Sequence, residues 1–420
     1  MLRYLFLIWT ILSGFSVYGQ GNLTRPNSPL LTQILSNGTP QFFNVISAPE
    51  KYHYQIVYTK INRNNKGRPV LENHYFNYSR NQFLYPASLV KLPTCMLALQ
   101  KMQSLKKQRV SLTSGMVTDT ADYCQTTMQW DSTQMNLRPS MEGYIKRMML
   151  VSDNEAYNRT YEFLGYNYIQ ENLQKKGLGD VRIVQRFVPP CGDYSNLKTN
   201  PVYFFQGKDT VYKQKAASAE ERLHNPLGEV FMGKGYYDAS GFLFPFPRSY
   251  YYNNYIPLED LHSVLSRVFF TNEFPGSRRF EIEDSNLNVL RKYMGMWPRE
   301  CTFPQYPLPD NYKKYFMIGD GRPKPANADL RIFNVVGRAY GVIADCAYIV
   351  DFSNDVEFML SAILYCNEDE ILNDDVYEYY TVGLPFLSEL GNLVYDYEMQ
   401  RKRKHRVHLT GLENLFKPKN

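Results

Sequence analysis

The sequence predicts an α/β fold of the α+β kind: one antiparallel sheet flanked by helices, with a helical lobe and a loop-rich insertion beside it. Three observations lead there. Two strand-like runs, 52–61 and 69–78, are joined by the polar turn Asn62-Arg63-Asn64-Asn65-Lys66-Gly67, which ends in glycine as a hairpin loop should. Three β-branched apolar runs, 330–336, 341–351 and 356–366, lie near the other end. The second and third are joined by the turn Phe352-Ser353-Asn354-Asp355. Between these ends, residues 110–310 read as mainly helical with long loops. Strands from both ends can therefore share one sheet, and the middle of the chain would form the lobe.

Each element has its own signal. Residues 28–35 read as a short helix. From Pro86-Ala87-Ser88 onward, Leu89, Leu92, Met96, Leu97 and Leu99 recur at helical spacing. Further helices are expected at 141–151, 153–164, 168–176, 258–270 and 285–294, and a long amphipathic one at 376–399. The expected organisation is a discontinuous sheet domain of 20–105 and 311–400, and a helical domain of 106–310. The latter carries an aromatic-rich insertion at 203–256, dense in Tyr, Phe, Gly and Pro. Residues 401–420 read as a basic, solvated tail, because Arg401-Lys402-Arg403-Lys404-His405-Arg406 is an unbroken charge run. Binding of an acidic polymer is its alternative.

Composition narrows the class. The chain has 420 residues, 44% of them hydrophobic, so it can bury a large core. A net charge of +6 from 47 basic and 41 acidic residues is too balanced for a nucleic-acid partner. The 35 Tyr and 25 Phe are read as half-buried loop packing, with glycan or peptide binding as the alternative. Residues 1–19 read as a signal peptide: Met1-Leu2-Arg3 is a short positive start, 4–12 is apolar, and Val17-Tyr18-Gly19 precedes the cleavage point. A secreted or periplasmic protein with no stable membrane anchor after cleavage is expected. Cys95, Cys124, Cys191, Cys301, Cys346 and Cys366 lack CxxC or Cys/His clustering, so no metal site and no cofactor is implied. Cys95 and Cys366 sit in apolar runs and are expected to be buried thiols; disulfides are allowed but not paired by the sequence.

The chemistry-bearing residues begin with Ser88-Leu89-Val90-Lys91. Positions i and i+3 share a helix face, so the lysine can approach the hydroxyl. A serine hydroxyl is a weak nucleophile until a base removes its proton, and a desolvated lysine can be that base. The same spacing recurs at Ser104/Lys107 and Ser195/Lys198, so spacing alone decides little. Ser88 differs by context, after two strands and before an apolar helical face; its competing assignment is an ordinary N-cap. Val151-Ser152-Asp153-Asn154 follows between two expected helices, where capping by Ser152-Asp153 is the competing assignment.

Together, Tyr85-Pro86-Ala87-Ser88-Leu89-Val90-Lys91 and Ser152-Asp153-Asn154 resemble the Ser-x-x-Lys and Ser-Asp-Asn motifs of the serine β-lactamase (class A-like) and penicillin-binding-protein family. The resemblance implies a β-lactamase/transpeptidase-like fold and an acyl-enzyme mechanism. It makes Ser88 the nucleophile, Lys91 its base and Ser152 the proton relay to the leaving nitrogen, with Asn154 bonded to Lys91 or to a substrate amide. The family's Lys-Thr/Ser-Gly strand corresponds to Val335-Val336-Gly337, followed by Arg338. Valine cannot supply the cation that receives a substrate carboxylate. The backbone N–H groups of Ser88 and Arg338 would form the oxyanion hole. The loop 186–201 should carry the glutamate that activates the deacylating water. Asp193 is its only carboxylate and the candidate base, against a plain turn role in Cys191-Gly192-Asp193.

The leading expectation is an exported hydrolase of a small-molecule β-lactam or related amide. A D,D-peptidase or amidase acting on a cell-wall peptide is the second. A binding protein with weakened catalysis on the same fold is the third, and the two valines motivate it.

Overall fold

The computed structural model describes residues 23–189, 191–321, 329–405, 407 and 409–417. The expected signal segment 1–19 lies outside the described residues, as do Arg406 and the last three residues of the basic run and tail. Five strands form the main sheet: β1 (Gln55–Arg63), β2 (Pro69–Phe76), β3 (Leu330–Ala339), β4 (Val342–Asp351) and β5 (Val356–Tyr365). Their order is β3-β4-β5-β1-β2, antiparallel throughout, so the two ends of the chain meet where Gln55 pairs with Ile363.

Local chemistry fixes the hairpins. Asn64 Oδ1 accepts from the backbone of Lys66 and Arg68 at 2.9 and 3.0 Å, and Gly67 takes φ +72° to close the β1–β2 turn. Asp351 Oδ1 does the same for Ser353 and Asn354 at the β4–β5 turn. Both β4 and β5 are buried along their whole length because helices cover both faces of the sheet.

One face packs against the helices α1 (Pro29–Leu35) and α7 (Leu384–Gln400), with Ile332, Val336, Phe358 and Leu390 in that core. Ser28 caps α1 through its side chain. The other face holds the larger core, built with α2 (Lys91–Ser104), α3 (Met141–Val151), α4 (Asn154–Leu164), α5 (Leu258–Phe269) and α6 (Asp284–Gly295). Period-2 alternation sends Phe333 and Val335 into this second core and Ile332 and Val336 into the first. Among the described residues no helix is long and apolar enough to cross a membrane.

Four expectations are corrected. First, α5 and α6 pack directly on the sheet, α5 on β1, β4 and β5 and α6 on β3, although both fall in the span assigned to a separate helical domain. Their apolar stripes face the sheet, with Leu261, Val264, Leu265 and Val268 of α5 fully buried. Second, the insertion is not all irregular: Val202–Gln206 and Asp209–Gln214 form a hairpin that adds to Gly115–Thr118. Third, the basic run is not a free solvated tail. Arg401 and Arg403 bond the buried carboxylate of Glu398, Arg401 also reaches Asn62 and Ile61, and Val407 and Leu409 are buried beyond them. A buried carboxylate needs compensating cations, and this run supplies them. The expected long helix over 376–399 begins instead with a π-turn at Tyr379–Gly383 and is α-helical from Leu384.

Candidate active site

Ser88 stands where three segments meet: the turn before α2, the junction of α3 and α4, and the edge strand β3. It lies in a 3₁₀ turn, Ala87–Val90, and α2 proper begins at Lys91. In a 3₁₀ turn residues i and i+3 eclipse, which sets the Lys91 side chain over Ser88 more directly than an α-helix would. Ala87 takes φ +47°, a strained conformation for a residue with a Cβ, and presents Ser88 on a sharp corner.

Lys91 is fully buried and its ammonium nitrogen is the hub of the site. Nζ lies 2.8 Å from Ser88 Oγ, 3.0 Å from Ser152 Oγ, 2.6 Å from the Ser152 carbonyl and 2.7 Å from Asn154 Oδ1. The last two atoms can only accept, so a neutral amine spends both of its N–H groups on them. Its lone pair is then left to the hydroxyls of Ser88 and Ser152. Burial pushes the Lys91 pKa well below its ordinary 10.5, and the positive charge of Lys313 pushes the same way against a weaker opposing effect of Asp153. The Phe187 ring, with its centroid 5.2 Å from Nζ, forms part of that apolar cover.

The helix junction follows from local capping. Ser152 ends α3 at φ +56°, with its N–H on the Arg147 carbonyl, and Asp153 caps α4 by accepting from Ala156 N at 2.7 Å. Capping and chemistry are thus divided within one tripeptide: Asp153 holds the helix, which frees Ser152 and Asn154 to face Lys91. The other two serine–lysine spacings make no such contact. Ser104 Oγ bonds the Lys101 carbonyl, Ser195 Oγ bonds the Gly192 carbonyl, and Lys198 is paired with Asp122.

Across from Ser88, β3 is the edge strand and lies against the serine turn. Gly337 makes this approach possible: a Cβ there would sit 2.7 Å from the Pro86 carbonyl and 2.9 Å from Leu89 Cγ. Val335 points to the Ser88 side of the sheet and Val336 to the opposite side. Arg338 does not stand in for the missing lysine. Its side chain is exposed, 3.4 Å from the Tyr380 hydroxyl and over the rings of Tyr379 and Tyr380 at the start of α7.

The loop after α4 is strapped down without offering a base to the site. Asn158 bonds both backbone groups of Phe187, at 2.8 and 2.9 Å. The buried trio Arg159, Glu162 and Arg186 anchors the loop, with Arg186 reaching the Ser195 carbonyl. A disulfide joins Cys124 to Cys191, with Cα atoms 5.6 Å apart, while Cys95, Cys301, Cys346 and Cys366 are buried free thiols. Asp193, the sequence candidate for a deacylating base, is half exposed and paired with Arg222 at 2.7 Å; none of its hydrogen bonds reaches Ser88, Lys91 or Ser152. Phe187, Asn158 and Lys313 were missed by sequence reading. Only the tertiary fold sets the Phe187 ring, held by Asn158, over Lys91 and brings the charge of Lys313 within its electrostatic reach.

Residues 42–222 match the model of the Beta-lactamase enzyme family. The matched stretch covers less than half of the chain. It carries Ser88, Lys91, Ser152, Asn154 and Asp193, whereas Gly337 and Arg338 lie beyond it. Among solved structures the chain is similar to the β-lactamase of Desulfarculus baarsii DSM 2075, at 12% identity over 89% of this chain and 98% of that one, with a TM-score of 0.46. It is also similar to the β-lactamase of Sphaerobacter thermophilus DSM 20745, at 12% identity over 86% and 98%, TM-score 0.45. A third is the β-lactamase from Streptomyces albus G, at 12% identity over 87% and 99%, TM-score 0.43. No curated protein sequence matches the chain. The sheet built from both chain ends, its helical cover and the lobe beside it make the β-lactamase/transpeptidase-like architecture expected from the motifs.

Proposed function

We propose that this chain is an exported serine enzyme that forms an acyl-enzyme at Ser88 with a β-lactam or a related amide. The observation that carries the reading is the position of Lys91 Nζ within hydrogen-bond distance of both hydroxyls, Ser88 Oγ and Ser152 Oγ. In this mechanism neutral Lys91 takes the Ser88 proton as Oγ bonds to the carbonyl carbon. The backbone N–H groups of Ser88 and Arg338 hold the oxyanion. The carbon–nitrogen bond then breaks, and the proton passes from Lys91 through Ser152 to the leaving nitrogen. Water releases the acyl group. Export is supported by the Cys124–Cys191 pair, since disulfides persist in oxidising compartments.

The test is incubation of the protein with a penicillin. An adduct on Ser88 by mass spectrometry, absent in Ser88→Ala, is expected; folded protein with no adduct overturns the reading and favours a binding role.

A second reading, a penicillin-binding-type peptidase or amidase, is favoured by the loop 186–197. It presents the Phe187 ring to Lys91, and its one carboxylate is engaged with Arg222. An acyl-enzyme here would lack a dedicated base for its water and would be long-lived. Many turnovers of a chromogenic cephalosporin indicate a lactamase, and one stoichiometric burst indicates the peptidase type.

A further inference from the structure

The basic run after α7 takes no part in the Ser88 site, yet the fold holds it in place against the β1–β2 turn. Arg401 donates to Asn62 Oδ1 at 2.6 Å and to the Ile61 carbonyl at 2.9 Å. Arg403 donates to the Glu398 carbonyl at 2.9 Å and shares the Glu398 carboxylate with Arg401. Val407 is buried just beyond, so the run is fixed at both ends. Arg401 and Arg403 turn inward. The intervening Lys402 and Lys404 are exposed, and neither makes a hydrogen bond or ion pair among the described residues.

Between this run and the turn lies a cavity of about 700 Å³. Five of its ten lining residues are basic, namely Arg63, Lys402, Arg403, Lys404 and His405, and none is acidic. Arg63 is matched, because its Nε and Nη2 both donate to the buried Glu357 carboxylate at 2.7 Å. With Arg401 included, the five arginines and lysines here face two carboxylates, Glu357 and Glu398, which leaves three positive charges unmatched. Arg403 also keeps its Nε buried without a hydrogen-bond partner. A free tail would let like charges move apart; holding them together is unfavourable, and a bound anion relieves it.

The strand register sets this cavity far from Ser88. Gly337, beside the serine turn, pairs with Ala344, Ala344 with Ile363, and Ile363 with Gln55. Asn62 lies seven residues further along β1, roughly 23 Å at about 3.3 Å per residue.

We propose that this cavity is a second binding site, separate from the acyl site, for a ligand that carries phosphate groups, with Lys402 and Lys404 as its main contacts. A phosphate monoester brings about −1.5 to −2 charges and three acceptor oxygens, so one or two such groups match three cations better than a carboxylate does. The same chemistry is offered by a soluble oligophosphate and by the headgroup of an anionic phospholipid. The proposal does not depend on the acyl-enzyme reading.

The experiment measures tripolyphosphate binding by titration calorimetry, and sedimentation with vesicles of phosphatidylglycerol and phosphatidylcholine. The double variant Lys402→Gln/Lys404→Gln is expected to weaken tripolyphosphate binding by about ten- to a hundredfold. Lys213→Gln/Lys215→Gln removes the same charge from exposed positions on the insertion and should stay within about threefold. Lys402→Arg/Lys404→Arg should keep most of the affinity. Tripolyphosphate binding without vesicle sedimentation assigns a soluble ligand. Sedimentation that tripolyphosphate displaces, and that Lys402→Gln/Lys404→Gln abolishes, assigns the headgroup. No binding of either probe by the parent overturns the proposal. Equal loss in the two glutamine pairs, or no loss in Lys402→Gln/Lys404→Gln, overturns it as well.

Discussion

The two walls of the site differ in how they are built. On the serine wall, Ser88, Lys91, Ser152 and Asn154 come from two short segments, each organised by its own local structure: a 3₁₀ turn and a helix-to-helix junction. Their spacing is fixed by backbone geometry, and the hydrogen bonds at Lys91 close the gap between the segments. On the opposite wall, the strand supplies a glycine for close approach, while its side chains at 335 and 336 disappear into two cores. What that wall presents to the serine turn is therefore backbone. The serine wall is specified by sequence neighbours and the strand wall by packing partners, and mutations should divide the same way.

The largest effect is expected at the nucleophile. Ser88→Ala should abolish the adduct and lower any amide or lactam hydrolysis by at least about a thousandfold, measured as kcat/KM. A residual rate near that of the parent would remove the serine wall from the comparison altogether.

Lys91→Ala follows. Loss of the base should slow acylation by about a hundred- to ten-thousandfold. Because the folded pKa of Lys91 is lowered, the amine is charged at low pH and neutral above its lowered value. In the parent the acylation rate should thus fall as pH drops through that value, on a limb lying well below 10.5. A limb at 10.5 or no limb would show that Lys91 is not the base.

The strand wall is probed with Gly337→Ala. A Cβ meeting the Pro86 carbonyl at 2.7 Å must push the strand from the serine turn, at about 1–3 kcal/mol of stability. The melting temperature should fall and acylation should slow about tenfold or more, whereas Val335→Thr should leave acylation within a few-fold. Equal behaviour of the two substitutions would break the contrast between backbone and side chain on this wall.

The smallest effect is expected at Asp193→Asn. Its carboxylate pairs with Arg222 at a half-exposed position, so acylation and release should each change by no more than about twofold. A large drop in acyl release, seen as a persistent adduct, would restore Asp193 as the base.

Much of this was legible in the sequence, for a physical reason. Strand hairpins, helix caps and the Ser-x-x-Lys spacing depend on residues a few positions apart, so the 62–67 turn, the 352–355 turn, and Ser88 with Lys91 could be read directly. The element order also sufficed to bring the two chain ends into one sheet. Context in the sequence already set Ser88 apart from Ser104 and Ser195; tertiary structure added the burial of Lys91 and its contact with Ser152. It also paired Cys124 with Cys191, placed Phe187 over Lys91, and spent Arg401 and Arg403 on Glu398. Those outcomes depend on desolvation and on contacts between segments far apart in sequence, and neither is encoded in any local pattern.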